Sequence, residues 1–187
     1  SRENNGNARI NAEQITVLIG WIMDADPSVG PADVAVIMPK TNGSAVFGQL
    51  VDTLNSMYSA RGLEPGLAYH MHTQANGTSS PLDWAKARGK TVMLSIHGDK
   101  GRGHKLVVFA GCTDGAIPQE NQSGIVPKSL LNVATTRSTK YLLIGVAHSR
   151  PSRYLTAHWA RVEALTYPTW RTAGPLPEPY RTIISKY

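Results

Sequence analysis

The chain has 187 residues, of which 41% are hydrophobic, enough for one globular domain, or one lobe of a larger protein, with a real core. Its net charge of +6 at pH 7 favours anionic partners, nucleic acid first. The lone Cys112 excludes an intramolecular disulfide, and no apolar run approaches the ~20 residues that span a bilayer. We therefore expect a soluble, intracellular protein with no membrane partner.

The first half of the chain predicts a helix, a strand, a loop and a second helix. Apolar residues recur at helical spacing over residues 10–24 and again from residue 44 to residue 57. Between them, residues 33–38 form a short apolar run typical of a buried strand. Residues 64–89 are rich in Gly, Pro, Ser and Asn, which predicts a long surface connection with one short strand near Tyr69.

The second half predicts a mostly parallel sheet. Three apolar runs with little alternation, typical of strands buried on both faces, cover residues 91–94, 106–110 and 141–146. Helical spacing over residues 129–136 predicts a strand-helix-strand crossover, and a further helix is expected over residues 152–165. The fold class is therefore α/β, with helices on both faces of the sheet.

Two polar segments adjoin these predicted strands, residues 95–101 and residues 133–137. Both are expected at an edge of the sheet, where open α/β sheets bind ligands. A lysine in a Gly-flanked loop and an arginine at a helix boundary are the groups that neutralise charge on a γ-phosphate. The pair predicts phosphoryl-transfer chemistry, although the chain has no Walker A sequence and no Asp-Glu pair for magnesium.

Gly89-Lys90-Thr91 looks like the end of a phosphate-binding P-loop but does not fit that motif. The motif needs a glycine five residues before its Gly-Lys pair, where this chain has Trp84, and a helix after it, where a strand is predicted. Other clusters also have ordinary explanations: His70 and His72 lack further ligands for zinc, and Cys112 is expected to be a small buried residue. We predict no metal site.

Five segments form an ordered series: residues 33–42, 92–101, 106–111, 114–118 and 131–137. The second contains Ser95-Ile96-His97-Gly98-Asp99-Lys100-Gly101, and the last ends in Val133-Ala134-Thr135-Thr136-Arg137. The series resembles the second RecA-like domain of superfamily 1 DNA helicases of the UvrD/Rep/PcrA type. In that family a strand leads into Thr-x-His-x-x-Lys-Gly-Leu-Glu, followed by a Val-Val-Phe strand, an acidic-Gly-x-x-Pro turn and Val-Ala-x-Thr-Arg. The likeness covers residues 10–147.

For the nucleotide, the resemblance implies that Arg137 is an arginine finger on the γ-phosphate of ATP and that Lys100 lies near the same phosphates. Gly101, Arg102 and Gly103 complete the expected nucleotide contacts. The family has Leu and Glu where this chain has Arg102 and Gly103, so the family's contact from Glu to the sugar is in doubt. Arg102 and Lys105 could contact phosphate or DNA instead. The simpler alternatives are a surface arginine at a helix end and a solvated lysine in a turn.

For nucleic acid, the resemblance implies single-strand contacts from two segments, the residues being Ser95, His97, Lys40, Thr41 and Asn42. His97 could equally be a structural histidine. Tryptophans such as Trp84 could stack on bases, which contributes ~1–3 kcal/mol per base. DNA is expected over RNA, although phosphate contacts alone do not distinguish the two.

Residues 1–167 are thus expected to be the C-terminal RecA-like lobe of a superfamily 1 helicase or translocase, and residues 168–187 a Pro-rich tail. ATP and Mg²⁺ would bind only in the intact enzyme, between this lobe and an N-terminal ATP-binding lobe, so this lobe alone should be inactive. The alternatives are a non-catalytic, helicase-derived module that binds nucleic acid or another partner, and the lobe of an RNA helicase. The large insertion typical of the family is replaced by the short segment 64–89.

Overall fold

A computed structural model of the chain describes residues 2–38, 45–70, 84–95, 102–110, 132–133, 136–145 and 152–153. For residues 2–11 it describes the backbone only. The predictions for the tail at residues 168–187, for residues 114–118 and for most of the helix at residues 152–165 lie outside the described residues.

The described parts of the chain contain three helices and five strands, which alternate up to the third strand and are followed by the last two strands. The helices are α1 (Arg2–Ala25), α2 (Ala45–Ala60) and α3 (Trp84–Ala87). The strands are β1 (Val34–Met38), β2 (Ala68–His70), β3 (Thr91–Ser95), β4 (His104–Phe109) and β5 (Ser138–Ile144). A 3-10 turn, Pro31–Asp33, leads into β1.

The strands form one sheet in the order β2-β3-β1-β4-β5, and every pairing is parallel. This confirms the predicted α/β class with a parallel sheet, an arrangement consistent with a RecA-like fold. Parallel neighbours require crossover connections, because each strand must begin again at the end where its neighbour began. The amino ends of all five strands therefore meet at one edge of the sheet, here called the amino edge, and their carboxyl ends meet at the carboxyl edge.

The main core lies between one face of the sheet and helices α1 and α2. Its buried side chains alternate along the strands, as Val34 and Val36 do in β1, and pack with residues such as Leu50 and Leu54 of α2. The opposite face is buried too, since Ile37 is 1% exposed. Burial on both faces explains why the strands read as continuous apolar runs. Truncating a fully buried residue such as Leu50 to alanine should cost about 2–5 kcal/mol.

A buried chain of hydrogen bonds joins α2, β3 and the turn before β1. The Thr91 hydroxyl donates to the Pro31 carbonyl oxygen at 2.7 Å, so its oxygen is left to accept from the Tyr58 hydroxyl at 2.5 Å. Tyr58 is fully buried, and burial raises the pKa of its phenol to about 12. The three groups satisfy one another where water is excluded.

Most predicted elements are confirmed where the structure describes them. The helix predicted over residues 10–24 begins earlier, at Arg2 in α1. The prediction missed its first turns because they are polar and carry no apolar periodicity. The surface connection at residues 64–89 contains β2, as expected near Tyr69, and also α3. Of the crossover helix, residues 132–133 are helical, and the Thr136 N–H donates to the Asn132 carbonyl at 2.9 Å, a helical bond.

Helix–helix packing places α2 against α1. Thr16 and Thr53 share a hydrogen bond at 2.8 Å, and the Arg61 guanidinium binds the Asp24 carboxylate at 2.8 Å. No helix in the described part of the chain is long and apolar enough to cross a membrane.

Candidate functional site

The predicted site residues that the structure describes fall at two different edges of the sheet. Ser95 is the last residue of β3, at the carboxyl edge. Arg102 and Gly103 come directly before β4, and Arg137 comes directly before β5, so all three lie at the amino edge. Arg137 lies at the amino edge because it precedes its strand, whereas open α/β sheets usually bind ligands at the carboxyl edge.

Backbone contacts join the predicted nucleotide residues at the amino edge. The His104 N–H donates to the Arg137 carbonyl oxygen at 2.8 Å, and the Thr139 hydroxyl donates to the His104 carbonyl oxygen at 3.2 Å. Gly103 lies close to Thr139 beside this junction. A Cβ at position 103 would lie only 3.0 Å from the Thr139 methyl carbon, so a larger residue would be crowded there. The sequence places residues 103 and 137 far apart, and the sheet makes them neighbours.

Arg137 is half-buried and its guanidinium has no partner among the described residues. Its Nε atom is buried and lacks a hydrogen-bond partner there, and no carboxylate in the described part of the chain forms an ion pair with it. Just before it, the Thr136 hydroxyl donates to the Asn132 carbonyl oxygen at 2.8 Å and so fixes the helix end. An arginine that is partly desolvated and has no ion pair among the described residues favours an anionic ligand, and carboxylate or phosphate oxygens match its donors best.

Lys105, a further candidate for a phosphate contact, is engaged within the protein. Its Nζ atom donates to the Ser28 carbonyl oxygen at 2.5 Å and lies 3.3 Å from an Asp33 carboxylate oxygen. The Asp33 carboxylate also accepts from the Gly30 N–H at 2.9 Å. These contacts tie the start of β4 to the turn before β1, so Lys105 is better explained as a structural cation than as a ligand contact.

A second ion pair ties the same turn to β5. The Lys140 Nζ atom lies 2.5 Å from an Asp26 carboxylate oxygen, and the Tyr141 hydroxyl donates to Asp26 at 2.9 Å. The bond from Lys140, with help from Ser28, holds the pKa of Asp26 far below its ordinary value. The same bond raises the pKa of Lys140. Burial first, and then the bond to Asp26, raises the pKa of Tyr141.

At the carboxyl edge, Ser95 is the register partner of Met38, the last residue of β1. The sequence continues from Met38 to Lys40 and from Ser95 to His97, so both predicted nucleic-acid segments leave neighbouring strands at one level. Those predicted site residues beyond the strand ends lie outside the described residues, namely Lys40, Thr41, Asn42, His97, Lys100 and Gly101.

The segment that resembles a P-loop has the structure of a turn before a strand. Gly89 has a φ of +79°, Lys90 follows it, and Thr91 begins β3 rather than a helix. The Thr91 hydroxyl is bound to Pro31 and Tyr58. The strand predicted after this segment is confirmed.

Sequence reasoning missed the network around Asp26, because the partners Lys140 and Tyr141 are more than a hundred residues away. The local signal was Asp26-Pro27-Ser28, in which the Ser28 N–H donates to the Asp26 carboxylate at 3.1 Å, a turn typical of Asp. It also missed the alternating cations Lys86, Arg88 and Lys90 before β3.

Among the described residues, no group of three or more His, Cys, Asp or Glu side chains could hold a metal ion. A scan against models of known protein families found no match, and a search of curated proteins found none either.

Proposed function

We propose that this chain is the second RecA-like lobe of a superfamily 1 DNA helicase or translocase. In that role it supplies an arginine finger, Arg137, to ATP held by an N-terminal lobe, and it contacts single-stranded DNA through its carboxyl edge. ATP and Mg²⁺ are bound chiefly by the other lobe, so this lobe alone does not hydrolyse ATP.

The observation that carries the proposal is the grouping of distant residues by the sheet. The resemblance assigns residues 102, 103 and 137 to the nucleotide, and these adjoin through the bond from His104 to Arg137. It assigns the segments after Met38 and at Ser95 to nucleic acid, and these two residues are register partners. Each group is assembled at its own edge, although its members are distant in sequence.

The amino edge offers chemistry suited to a γ-phosphate. The Arg137 guanidinium carries donors in a planar fork, and within the described residues its buried Nε has no partner. Closure of an ATP-bearing lobe against this edge would satisfy those donors and place positive charge where negative charge develops. An arginine finger of this kind contributes ~10³–10⁵ in turnover rate.

The sheet itself provides the mechanical link between the two edges. A strand of five residues such as β3 spans ~17 Å at ~3.3 Å per residue, and its neighbours bind it along its whole length. A displacement imposed at the amino edge by ATP-driven closure is therefore transmitted rigidly to the carboxyl edge. Repeated closing and opening would then move the lobe along a single strand.

A second candidate function is a nucleic-acid-binding module that has kept the lobe and lost the motor. Gly103 favours it, because the family's glutamate at this position would meet the Thr139 methyl group, 3.0 Å from the position of its Cβ. Without that glutamate the family's contact to the nucleotide sugar is missing. This candidate keeps the carboxyl-edge contacts and needs no ATP turnover.

The experiment that tests the proposal measures DNA-stimulated ATPase activity of the complete polypeptide that contains this chain, beside single-strand binding by the chain itself. Robust turnover that rises with single-stranded DNA supports the motor lobe. Absence of turnover with intact single-strand binding supports the second candidate. Absence of both overturns the two candidates together. Competition with RNA at fixed salt separates a DNA motor from an RNA motor.

A further inference from the structure

The amino edge of the sheet is strongly basic beyond the residues assigned to the nucleotide. The described residues that lead into β3, β1, β4 and β5, together with the first residues of β4 and β5, carry seven cationic side chains and two acidic ones. The acidic residues are Asp26 and Asp33. We call the cations the basic strip, and they are Lys86, Arg88, Lys90, Arg102, Lys105, Arg137 and Lys140.

The strand register arranges three lysines of this strip as a line. Lys90, Lys105 and Lys140 each come one residue before Thr91, Leu106 and Tyr141 respectively. Leu106 pairs with Tyr141 and with Val34, and Val34 is level with Thr91, since the next residues, Ala35 and Val92, are partners. The three lysines thus share one level of the sheet. From β3 to β5 there are three strand spacings of ~4.8 Å, so the line is ~14 Å long.

The strip is neutralised unevenly. Asp33 engages Lys105 and Asp26 engages Lys140, which uses both acidic groups at the β4 and β5 end. At the β3 end, Arg88 is exposed, and neither Arg88 nor Lys90 forms an ion pair with any described carboxylate. Within the described residues, Arg88 and Lys90 therefore keep their positive charges outside any ion pair beside β3.

The β3 end also carries an aromatic side chain. The Lys90 ammonium lies 5.9 Å from the centre of the Tyr69 ring, near the outer limit of a cation–π contact. Tyr69 is half-buried and belongs to β2, the outermost strand on the β3 side of the sheet. Cations beside an aromatic ring form a typical contact surface for single-stranded nucleic acid, since the phosphates meet the charges and a base can meet the ring.

Local backbone geometry fixes this arrangement. Gly89, at a φ of +79°, follows α3 and allows the Lys90 N–H to donate to the Ala87 carbonyl oxygen at 3.1 Å. A residue with a side chain is strained at that φ. The tight turn leaves Arg88 and Lys90 on either side of one glycine, directly at the start of a buried strand.

We propose that Arg88 and Lys90, beside Tyr69, bind the sugar–phosphate backbone of nucleic acid at the amino edge, as a second contact in addition to the carboxyl edge. Two cations on either side of one glycine, with an aromatic ring beside them, offer contacts for neighbouring phosphates and for a base of the same strand. The inference rests on the proposed function in one respect, that the polyanion bound by this chain is nucleic acid.

The test uses fluorescence anisotropy of labelled oligo(dT) with the chain at several salt concentrations. Arg88→Gln/Lys90→Gln should weaken binding at least tenfold at low salt. It should also reduce the slope of log affinity against log salt by roughly 0.7 for each phosphate that the protein no longer neutralises. The control Gln49→Glu/Ser59→Glu makes the same change in net charge at exposed positions of α2, and its slope should stay at the wild-type value.

The outcomes separate this inference from the proposed function. A wild-type slope in Arg88→Gln/Lys90→Gln, with binding weakened by His97→Ala, overturns the amino-edge contact and leaves the proposed function standing. An equally large effect in the α2 control overturns it too, because net charge alone would then explain the result. No binding of oligo(dT) by the wild type overturns the inference and the proposed nucleic-acid role together. Selective weakening in Arg88→Gln/Lys90→Gln supports the inference even if His97→Ala binds normally.

Discussion

The main-chain N–H of His104 donates a hydrogen bond to the carbonyl oxygen of Arg137 over 2.8 Å. The bond joins the first residue of β4 to the residue directly before β5. Because backbone atoms form it, the spacing between Gly103 and Arg137 does not depend on any side-chain rotamer. Side-chain substitutions at either position should therefore leave this backbone spacing unchanged.

Gly103→Ala should destabilise the protein by about 1 kcal/mol, because the new Cβ would lie 3.0 Å from the Thr139 methyl carbon and overpacking of this kind is unfavourable. Urea unfolding followed by circular dichroism measures the change in free energy.

The matched control is Thr139→Ser, which removes that methyl group and keeps the hydroxyl that donates to the His104 carbonyl. In the Thr139→Ser background, Gly103→Ala should cost only a few tenths of a kcal/mol, by the double-mutant logic for contacting residues. An undiminished cost there would assign the effect of Gly103 to its backbone rather than to the Thr139 contact.

Arg137→Ala should lower ATP turnover of the complete enzyme about a thousandfold or more while changing ATP affinity much less, as expected of a group that acts on the transition state. Its effect on the free energy of unfolding should stay within about 0.5 kcal/mol, because the guanidinium makes no ion pair within the described residues. Steady-state kinetics and urea unfolding check the two parts.

Arg137→Lys separates charge from geometry, since lysine keeps the cation and loses the planar fork. If Arg137 is an arginine finger, ATP turnover of the Arg137→Lys enzyme should remain severely impaired. Equal reductions of turnover and ATP affinity in Arg137→Ala would instead make this residue a binding group.

The sequence was most informative about the sheet, where burial on both faces leaves unbroken apolar runs such as residues 106–110. Which edge a residue occupies follows from whether it precedes or follows its strand, once the strands are known to be parallel. Arg137 illustrates this, because its position before β5 puts it at the amino edge. The Asp26 network was hidden, because ion pairs between residues more than a hundred positions apart leave no local pattern.

The start of α1 was missed because the polar residues 2–9 have no apolar stripe, which is the signal that predicts helices. The Gly103–Thr139 contact was equally invisible, since a glycine in a sequence does not show what it packs against. The role of Thr91 depends on Tyr58 and Pro31, which the sheet and α2 bring together.

Thr91→Val should cost about 1–3 kcal/mol, because it leaves the Pro31 carbonyl and the Tyr58 hydroxyl buried without their partner. Tyr58→Phe should cost less, since Thr91 can still donate to Pro31. Thr91→Ser keeps the hydroxyl and is the control. Urea unfolding at pH 7 gives the order, and a cost for Thr91→Val no greater than for Thr91→Ser would contradict it.

The buried phenol also gives a pH dependence. The pKa of Tyr58 is raised from 10.0 to about 12 in the folded protein, so its contribution to stability is present below pH 10 and is lost as the pH rises from 10 to 12. Between those values, Tyr58→Phe should lose less stability than the wild type. Parallel loss in both proteins would show that Tyr58 does not drive the alkaline transition.

Asp26 should make the protein sensitive to acid. Its pKa lies below the ordinary 3.8, chiefly because Lys140 binds it, so its contribution to stability is present above pH 3.8 and is lost as the pH falls below that value. In Asp26→Asn, the free energy of unfolding measured with urea should therefore decrease less steeply below pH 4 than it does in the wild type. Since the Lys140 side chain is 47% exposed, the contribution of Asp26 to wild-type stability should also shrink at high salt.

The control is Asp52→Asn, which removes an exposed carboxylate of α2 that forms no ion pair with the described residues. This variant should lose stability with falling pH as steeply as the wild type does. A slope that is equally steep in Asp26→Asn and in the wild type would assign the acid transition to other carboxylates.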